Sequence, residues 1–338
     1  MEGRKLQLAG KSTFLVSLPK RWVTTAGLKA GDTLFVETES DGSISVRSHS
    51  LNRPAVRRKV FHEREAESRE HLLRKLIGAY VSGFGLIEVR FAPERSAFVR
   101  KVAREFCHLV IGPEVIEESR GVLLIQDLSD PSELSSEKCL RRMHLAVRAM
   151  LDDAMQALVT SDEALAREVD VRSSDVNRLF WMVSKQYHLG RGPPPGSNDG
   201  SSAVTLHGHR LIAKHLQRIG EHAQRIAGAI ALLARGKGLD PKIHKELDAA
   251  RASAVAILDQ AFHALVTRDI EEANEAIDAR AEHQKAIEAI SHRLVPRRGE
   301  DLLALASVVD SLGRIAVYAS EIAEEAIDLA VLTNPGAE

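Results

Sequence analysis

Two long stretches of the chain carry apolar residues in alternating steps of three and four, with polar residues between them. The first reads Ile212, Leu216, Ile219, Ala223, Ile226, Ile230 and Leu233. The second reads Leu305, Val308, Leu312, Ile315, Ala319, Ile322, Ala326 and Leu329. On a 3.6-residue helix each set forms one stripe, which only neighbouring helices can bury. The small side chains of Ala223 and Ala319 let such neighbours come close.

The stripes belong to an internal duplication. Residues 157–162 read ALVTSD and residues 264–269 read ALVTRD, at an offset of 107. QRIGEHAQRIA at 217–227 lines up with GRIAVYASEIA at 313–323, at an offset of 96. The offset drops when two halves share helices and differ in a loop, and LGRGPPPGSNDGSSAVT at 189–205 is that longer loop. Its centre, 192–202, has no core-forming residues and is expected to be mobile. Helices are expected at about 137–160, 162–188 and 206–235, and again at 241–267, 269–294 and 299–332. Asp162 or Ser161, Asp240-Pro241 and Asp269 are start signals, and Gly236 and Gly238 separate the halves.

Ahead of the helices the pattern shortens to strands. RKLQLAG, STFLVSLP, DTLFVETE and GSISVRS are short runs separated by turn signals, with Asp41-Gly42 reading as a hairpin loop. Between the second and third runs a helical turn or two over Lys20–Ala26 opens after Pro19 and ends at Gly27. A unit of this size buries little core by itself, so pairing with a second copy is expected. Residues 49–60 read as a connector whose Arg57, Arg58 and Lys59 either add phosphate contacts or mark a solvated boundary. Beyond it the order helix, strand, helix, strand, strand makes a small α/β module.

Charge sharpens this division. Residues 1–60 hold eleven Lys or Arg against five Asp or Glu, while the other 278 hold thirty-five against forty-two. A basic head on an acidic body directs any polyanion to the head. Cys107 and Cys139 are the only cysteines, which excludes a disulfide framework and a thiolate metal cage. No apolar targeting core and no unbroken apolar run of membrane-spanning length stand out, so a cytoplasmic protein without membrane insertion is expected. Phosphate-loop and dinucleotide motifs are missing, and Ser173, Ser174 and Asp175, or Asp310 and Ser311, read as helix polar faces. An enzyme is therefore not expected.

Two resemblances follow from these residues. The run from Arg4 to Ser48, centred on VSLPKRWVTTAGLKAGDTLFV, resembles the swapped-hairpin DNA-binding domain of the AbrB/MazE/SpoVT type. Pro19 and Lys20 match its strand-to-helix junction, and Leu28, Gly31 and Asp32 match the following turn, while the segment Gly10–Pro19 is longer than the family pattern. That resemblance implies a homodimer whose interleaved hairpins form one barrel, with Arg4, Lys5, Lys11, Lys20 and Arg21 as DNA contacts. The duplication, the ALVTxD turns and RIGEHAxRIA resemble the PhoU family, whose members are tied to phosphate uptake and its signalling. A head of this type on such a body resembles archaeal regulators of the PhoU type.

The expected fold class is thus multidomain α+β. An N-terminal swapped-hairpin β-barrel occupies 1–50 and the α/β connector module 51–134. Tandem three-helix bundles follow at 135–236 and 239–332. Two functions compete: a transcriptional regulator binding DNA through its basic head, and an adaptor contacting a phosphate transporter or signalling protein without touching DNA. Many PhoU-family members bind metal clusters through carboxylates four residues apart. Here those positions read Gln217 and Glu221, then Gly313 and Val317. Asp175, Glu221 and His222 remain as candidate ligands for a weakly bound divalent metal, with no other cofactor expected. His207, His209, His215 and His222 read as polar surface or packed histidines, because their spacings do not converge on one ion.

Overall fold

The computed structural model describes residues 3–10, 12–25, 27–38, 44–48, 56–64, 68–129, 133–190, 203–233, 240–295 and 299–333. They divide into two compact units, one ending at Arg57 and one beginning at Arg58. Lys11, the Asp41-Gly42 loop, the segment 192–202, Gly236 and Gly238 lie outside the described residues.

In the first unit β1 (Gln7–Ala9) pairs antiparallel with β2 (Thr13–Leu15), Leu8 facing Phe14. Helix α1 (Lys20–Thr25) starts where the Pro19 carbonyl accepts from Val23 N at 3.1 Å. It ends at Gly27, whose φ of +66° suits a residue without Cβ. The Asp32 carboxylate then accepts from Lys29 N at 2.7 Å, closing the turn into β3 (Leu34–Thr38). Strand β3 pairs antiparallel with β4 (Ile44–Ser48), Val36 facing Val46.

These strands overturn the expected swapped-hairpin β-barrel. β1–β2 and β3–β4 are two separate two-stranded sheets, and among the described residues no ladder joins them. A barrel needs one sheet closed on itself with its strands tilted and staggered. Two hairpins, one with strands of three residues, leave every outer edge open.

The second unit begins with a strand where a connector was expected. Arg58 and Lys59 belong to β5 (Arg58–His62), which lies parallel to β6 (Leu86–Arg90). Helix α2 (Arg69–Val81), capped by Ser68, makes the crossover that a parallel pair requires. Helix α3 (Ser96–Leu109), β7 (Pro113–Glu118) and β8 (Val122–Asp127) complete a sheet of order β5-β6-β8-β7. Leu72, Leu76 and Phe106 from the helices pack on Ile87, Val89, Leu123 and Ile125 from one sheet face. On the opposite face the buried Glu88 carboxylate is held by Arg58 and Arg90.

Six long helices follow: α4 (Ser136–Thr160), α5 (Glu163–Leu189), α6 (Ala203–Gly228), then, after the short α7 (Ile230–Leu233), α8 (Pro241–Thr267), α9 (Ile270–Leu294) and α10 (Glu300–Thr333). Helices α4, α5 and α6 pack together, as do α8, α9 and α10, and α10 also packs along α6. The repeated turns share their backbone form. Ser161 and Arg268 are both left-handed, at φ 55° and 61°, and their amides return to the Ala157 and Ala264 carbonyls. Asp162 caps α5 through Ala164 N and Leu165 N, and Asp269 caps α9 through Glu272 N. Helix α10 is long and apolar enough to cross a membrane, although Asp310 and Arg314 interrupt it, and half of its most apolar stretch is buried within the protein.

A buried ion pair joins the α/β module to the first bundle. Lys185 of α5, its side chain 5% exposed, meets Asp127 at the end of β8, which is 8% exposed. The ammonium also donates to Ser129 Oγ at 2.9 Å and lies 4.9 Å from the Tyr80 ring centre. Gly112 seats this corner, since a Cβ there would meet Ser129 Cβ at 2.5 Å. Removing one partner leaves the other charged and dry. Lys185→Ala is therefore expected to lower unfolding free energy by about 3–5 kcal/mol, and the double variant Lys185→Met/Asp127→Leu to recover a large part of it. Urea melts of the three proteins measure both effects.

Candidate functional site

The basic residues of the head lie at two places, before β1 and at the start of α1. Lys20 and Arg21 form the first turn of α1 and are exposed, as are Arg4 and Lys5 just before β1. Cations at a helix N-terminus oppose its dipole, so helix stability does not account for Lys20 and Arg21. In the same unit Leu6, Leu8, Phe14, Leu15, Val16, Phe35, Val36 and Ile44 are each more than half exposed.

On the body, α6 and α10 run antiparallel along each other. Gly208 meets Leu329, His215 Nδ1 meets Glu321 Oε2 at 2.9 Å, and the His222 ring stands 5.8 Å from that of Tyr318. At the offset of 96, His222 and Tyr318 are equivalent positions of the two repeats. The α4–α8 seam shows the same pseudo-twofold relation at the offset of 107. Arg251 of α8 pairs with Asp152 of α4 at 2.5 Å, and its equivalent His144 pairs with Asp259, the equivalent of Asp152, at 2.9 Å.

The candidate metal ligands are not drawn to one point. Asp175 is exposed on α5 with Arg178 at 3.8 Å. Glu221 is paired with Arg218 at 2.7 Å, and His222 is buried against Tyr318 with Nδ1 unpartnered. Between α5 and α6 stands a ladder of amide and hydroxyl groups that ends on the Asp170 carboxylate. Gln217 Nε2 donates to Asn177 Oδ1 at 2.5 Å, Ser173 Oγ to Gln224 Oε1 at 2.7 Å, and Gln224 Nε2 to Asp170 Oδ1 at 2.9 Å. Amides and arginine-paired carboxylates fit a divalent cation poorly. Among the described residues no three His, Cys, Asp or Glu side chains stand close enough to share one.

Nucleophile chemistry has no better footing. Ser173 gives its hydroxyl to Gln224 rather than to a base. Burial pushes the Cys107 thiol up to about 11 and the Cys139 thiol up to about 12, so neither forms a thiolate near neutrality.

Buried histidines were the least visible part of this region in the sequence. His283, deep in the second bundle, donates through Nε2 to the Leu312 carbonyl at 3.2 Å and takes Ser253 Oγ at 3.2 Å on Nδ1. His209 shares Nδ1 with Ser136 Oγ at 2.8 Å. Burial holds His144, His215, His222 and His283 below the ordinary histidine range, against the pull of Asp259 on the first and of Glu321 on the second.

Comparison with known proteins follows this geometry. Residues 140–230 match the family model of the PhoU domain, and residues 7–53 that of antidote-toxin recognition MazE, a bacterial antitoxin. The crystal structure of PhoU from Pseudomonas aeruginosa aligns with a TM-score of 0.51 at 21% identity, over 60% of this chain and 96% of its own. That of the phosphate transport system regulatory protein PhoU from Streptococcus pneumoniae aligns with a TM-score of 0.51 at 15% identity, over 61% and 96%. At these identities the likeness establishes the fold. None of the curated proteins compared matches the chain.

The depressed histidines set a pH dependence. The unfolded chain takes up protons near pH 6.5 while the four buried or half-buried rings resist them, so their stabilisation is full above that value and is lost as pH falls toward the folded-state values. The melting temperature is therefore expected to be lower at pH 5.5 than at pH 7.5. His283→Asn should flatten that slope in a calorimetric series. The chain thus carries two recognisable segments, residues 7–53 matching the MazE antitoxin model and residues 140–230 matching the PhoU domain model.

Proposed function

We propose that the chain is a regulatory adaptor whose double three-helix body acts by contact with a protein of phosphate transport or its signalling. The carrying observation is that the body spans 96% of two PhoU structures, one of them titled a phosphate transport system regulatory protein. The chemistry points the same way, because the body presents ion-paired helix faces rather than a reactive centre. A tagged full-length chain, used as bait against the purified phosphate-transport ATPase and phosphate-sensing kinase of its own source, should retain one of them in a salt-stable complex. Retention of neither, by a folded bait, overturns the reading.

A second reading rests on the head. Hairpins this short are marginal on their own, and eight exposed large apolar side chains ask for cover. A second copy supplies it and brings two sets of Arg4, Lys5, Lys20 and Arg21 together, a surface suited to DNA phosphates. Light scattering should then give twice the 37.1 kDa chain mass. Gel-shift titration should show Lys20→Ala/Arg21→Ala binding duplex DNA at least ~10-fold more weakly, with a flatter salt dependence. A monomer, or equal binding by both proteins, removes this reading and leaves the adaptor intact.

A further inference from the structure

Both helices of the α/β module pack on one face of its sheet, the face that carries Ile87, Val89, Leu123 and Ile125. Successive residues of a strand alternate across a sheet, so the residues between these point to the other face. The strand registers set that second face in rows running from edge to edge. One row reads Arg58, Leu86, Gln126 and Glu114. The next reads Val60, Glu88, Leu124 and Glu117. A register shift between Val115 and Glu117 puts Glu117 into that row, where Ile116 would otherwise stand.

Charge changes sign along the rows. On the β5–β6 half two arginines, Arg58 and Arg90, hold the one carboxylate of Glu88, a balance of +1. On the β7 side the two carboxylates of Glu114 and Glu117 are exposed, a balance of -2. Between the halves Leu86, Val122 and Leu124 are half-buried. Glu88 is only 2% exposed and is already paired twice within its own chain, so covering this face strands no charge at its centre. A face that is positive along one edge, apolar in the middle and negative along the other is complementary to itself turned over.

We infer that this face pairs with the same face of a second copy of the chain, about a twofold axis parallel to the strands. Turned about that axis, β5 of each copy lies over β7 of the other. Arg58 then meets the partner's Glu114, and Val60 lies over the partner's Glu117. An isologous contact makes each of these pairings twice. The middle strands bring the leucines and Val122 of the two copies together, as in the aligned packing of a two-sheet sandwich. A polyanion asks for one sign of charge over the whole face, which Glu114 and Glu117 deny it. Strands of this length and number cover only about 17 by 19 Å, so the dissociation constant is expected to be roughly 10–500 µM. The assignment does not depend on whether the head pairs or on which protein the body contacts.

Cross-linking of the full chain reads this face directly. One preparation carries Val60→Cys, another Glu117→Cys, and the two are mixed at about 100 µM with a short bismaleimide. The mixture should give a covalent dimer in yield well above either variant alone, because two copies of one position stand at opposite edges of the contact. The unaltered chain sets the background, since burial keeps Cys107 and Cys139 as neutral thiols. Adding Glu114→Arg to both preparations sets arginine against Arg58 and should cut the yield at least ~5-fold, with the larger effect at low salt. Glu114 is exposed, so circular dichroism should show that variant folded. No dimer above background, equal yield from either variant alone, or a yield that Glu114→Arg leaves unchanged overturns the pairing.

Discussion

Burying α6 and α10 against each other is the constraint under which the rest of the body is arranged. Each helix must serve its own bundle and also the helix of the other, so its apolar arc has to be wide. Ile212, Leu216, Ile219 and Ile226 on one, and Val308, Leu312, Ile315 and Ile322 on the other, are fully buried. Ala223 and Ala319 are fully buried as well. Once this pair is set, the short turns at Ser161 and Arg268 leave α4, α5, α8 and α9 little freedom of placement. The Asp152–Arg251 ion pair and the hydrogen bond between His144 and Asp259 then fix the outer seam from both sides.

Much of this was legible because the chain writes its helix boundaries locally. Asp162, Asp240-Pro241 and Asp269 cap helices that begin within a residue or two of the expected positions. The stripe from Leu305 to Leu329 is buried as its spacing requires. The end of α6 was less clear, since the periodicity runs on through Ile230 and Leu233 although the regular helix stops at Gly228. Strand β5 was hidden by its own charges. Arg58 and Lys59 look like a solvated boundary until Glu88, thirty residues away, is seen to hold Arg58.

Other features were illegible for the same reason, distance along the chain. Lys185 and Asp127 are fifty-eight residues apart, and His144 and Asp259 one hundred and fifteen. No local pattern marks either pair. The barrel failed differently. It was implied by a resemblance whose closed form draws strands from two chains, whereas one chain supplies two hairpins and no ladder between them. The ligands suggested for a metal, Asp175, Glu221 and His222, share a region but are spent on Arg178, Arg218 and the Tyr318 face.

The shelter of the two thiols has a practical side. Cys107 and Cys139 are kept as neutral S–H at neutral pH, so thiolate-seeking labels react slowly with the native protein. Two introduced cysteines, one on an exposed position of α5 and one on an exposed position of α9, would outcompete both. Paired spin or fluorescent labels could then follow the separation of the two bundles in the otherwise unaltered chain.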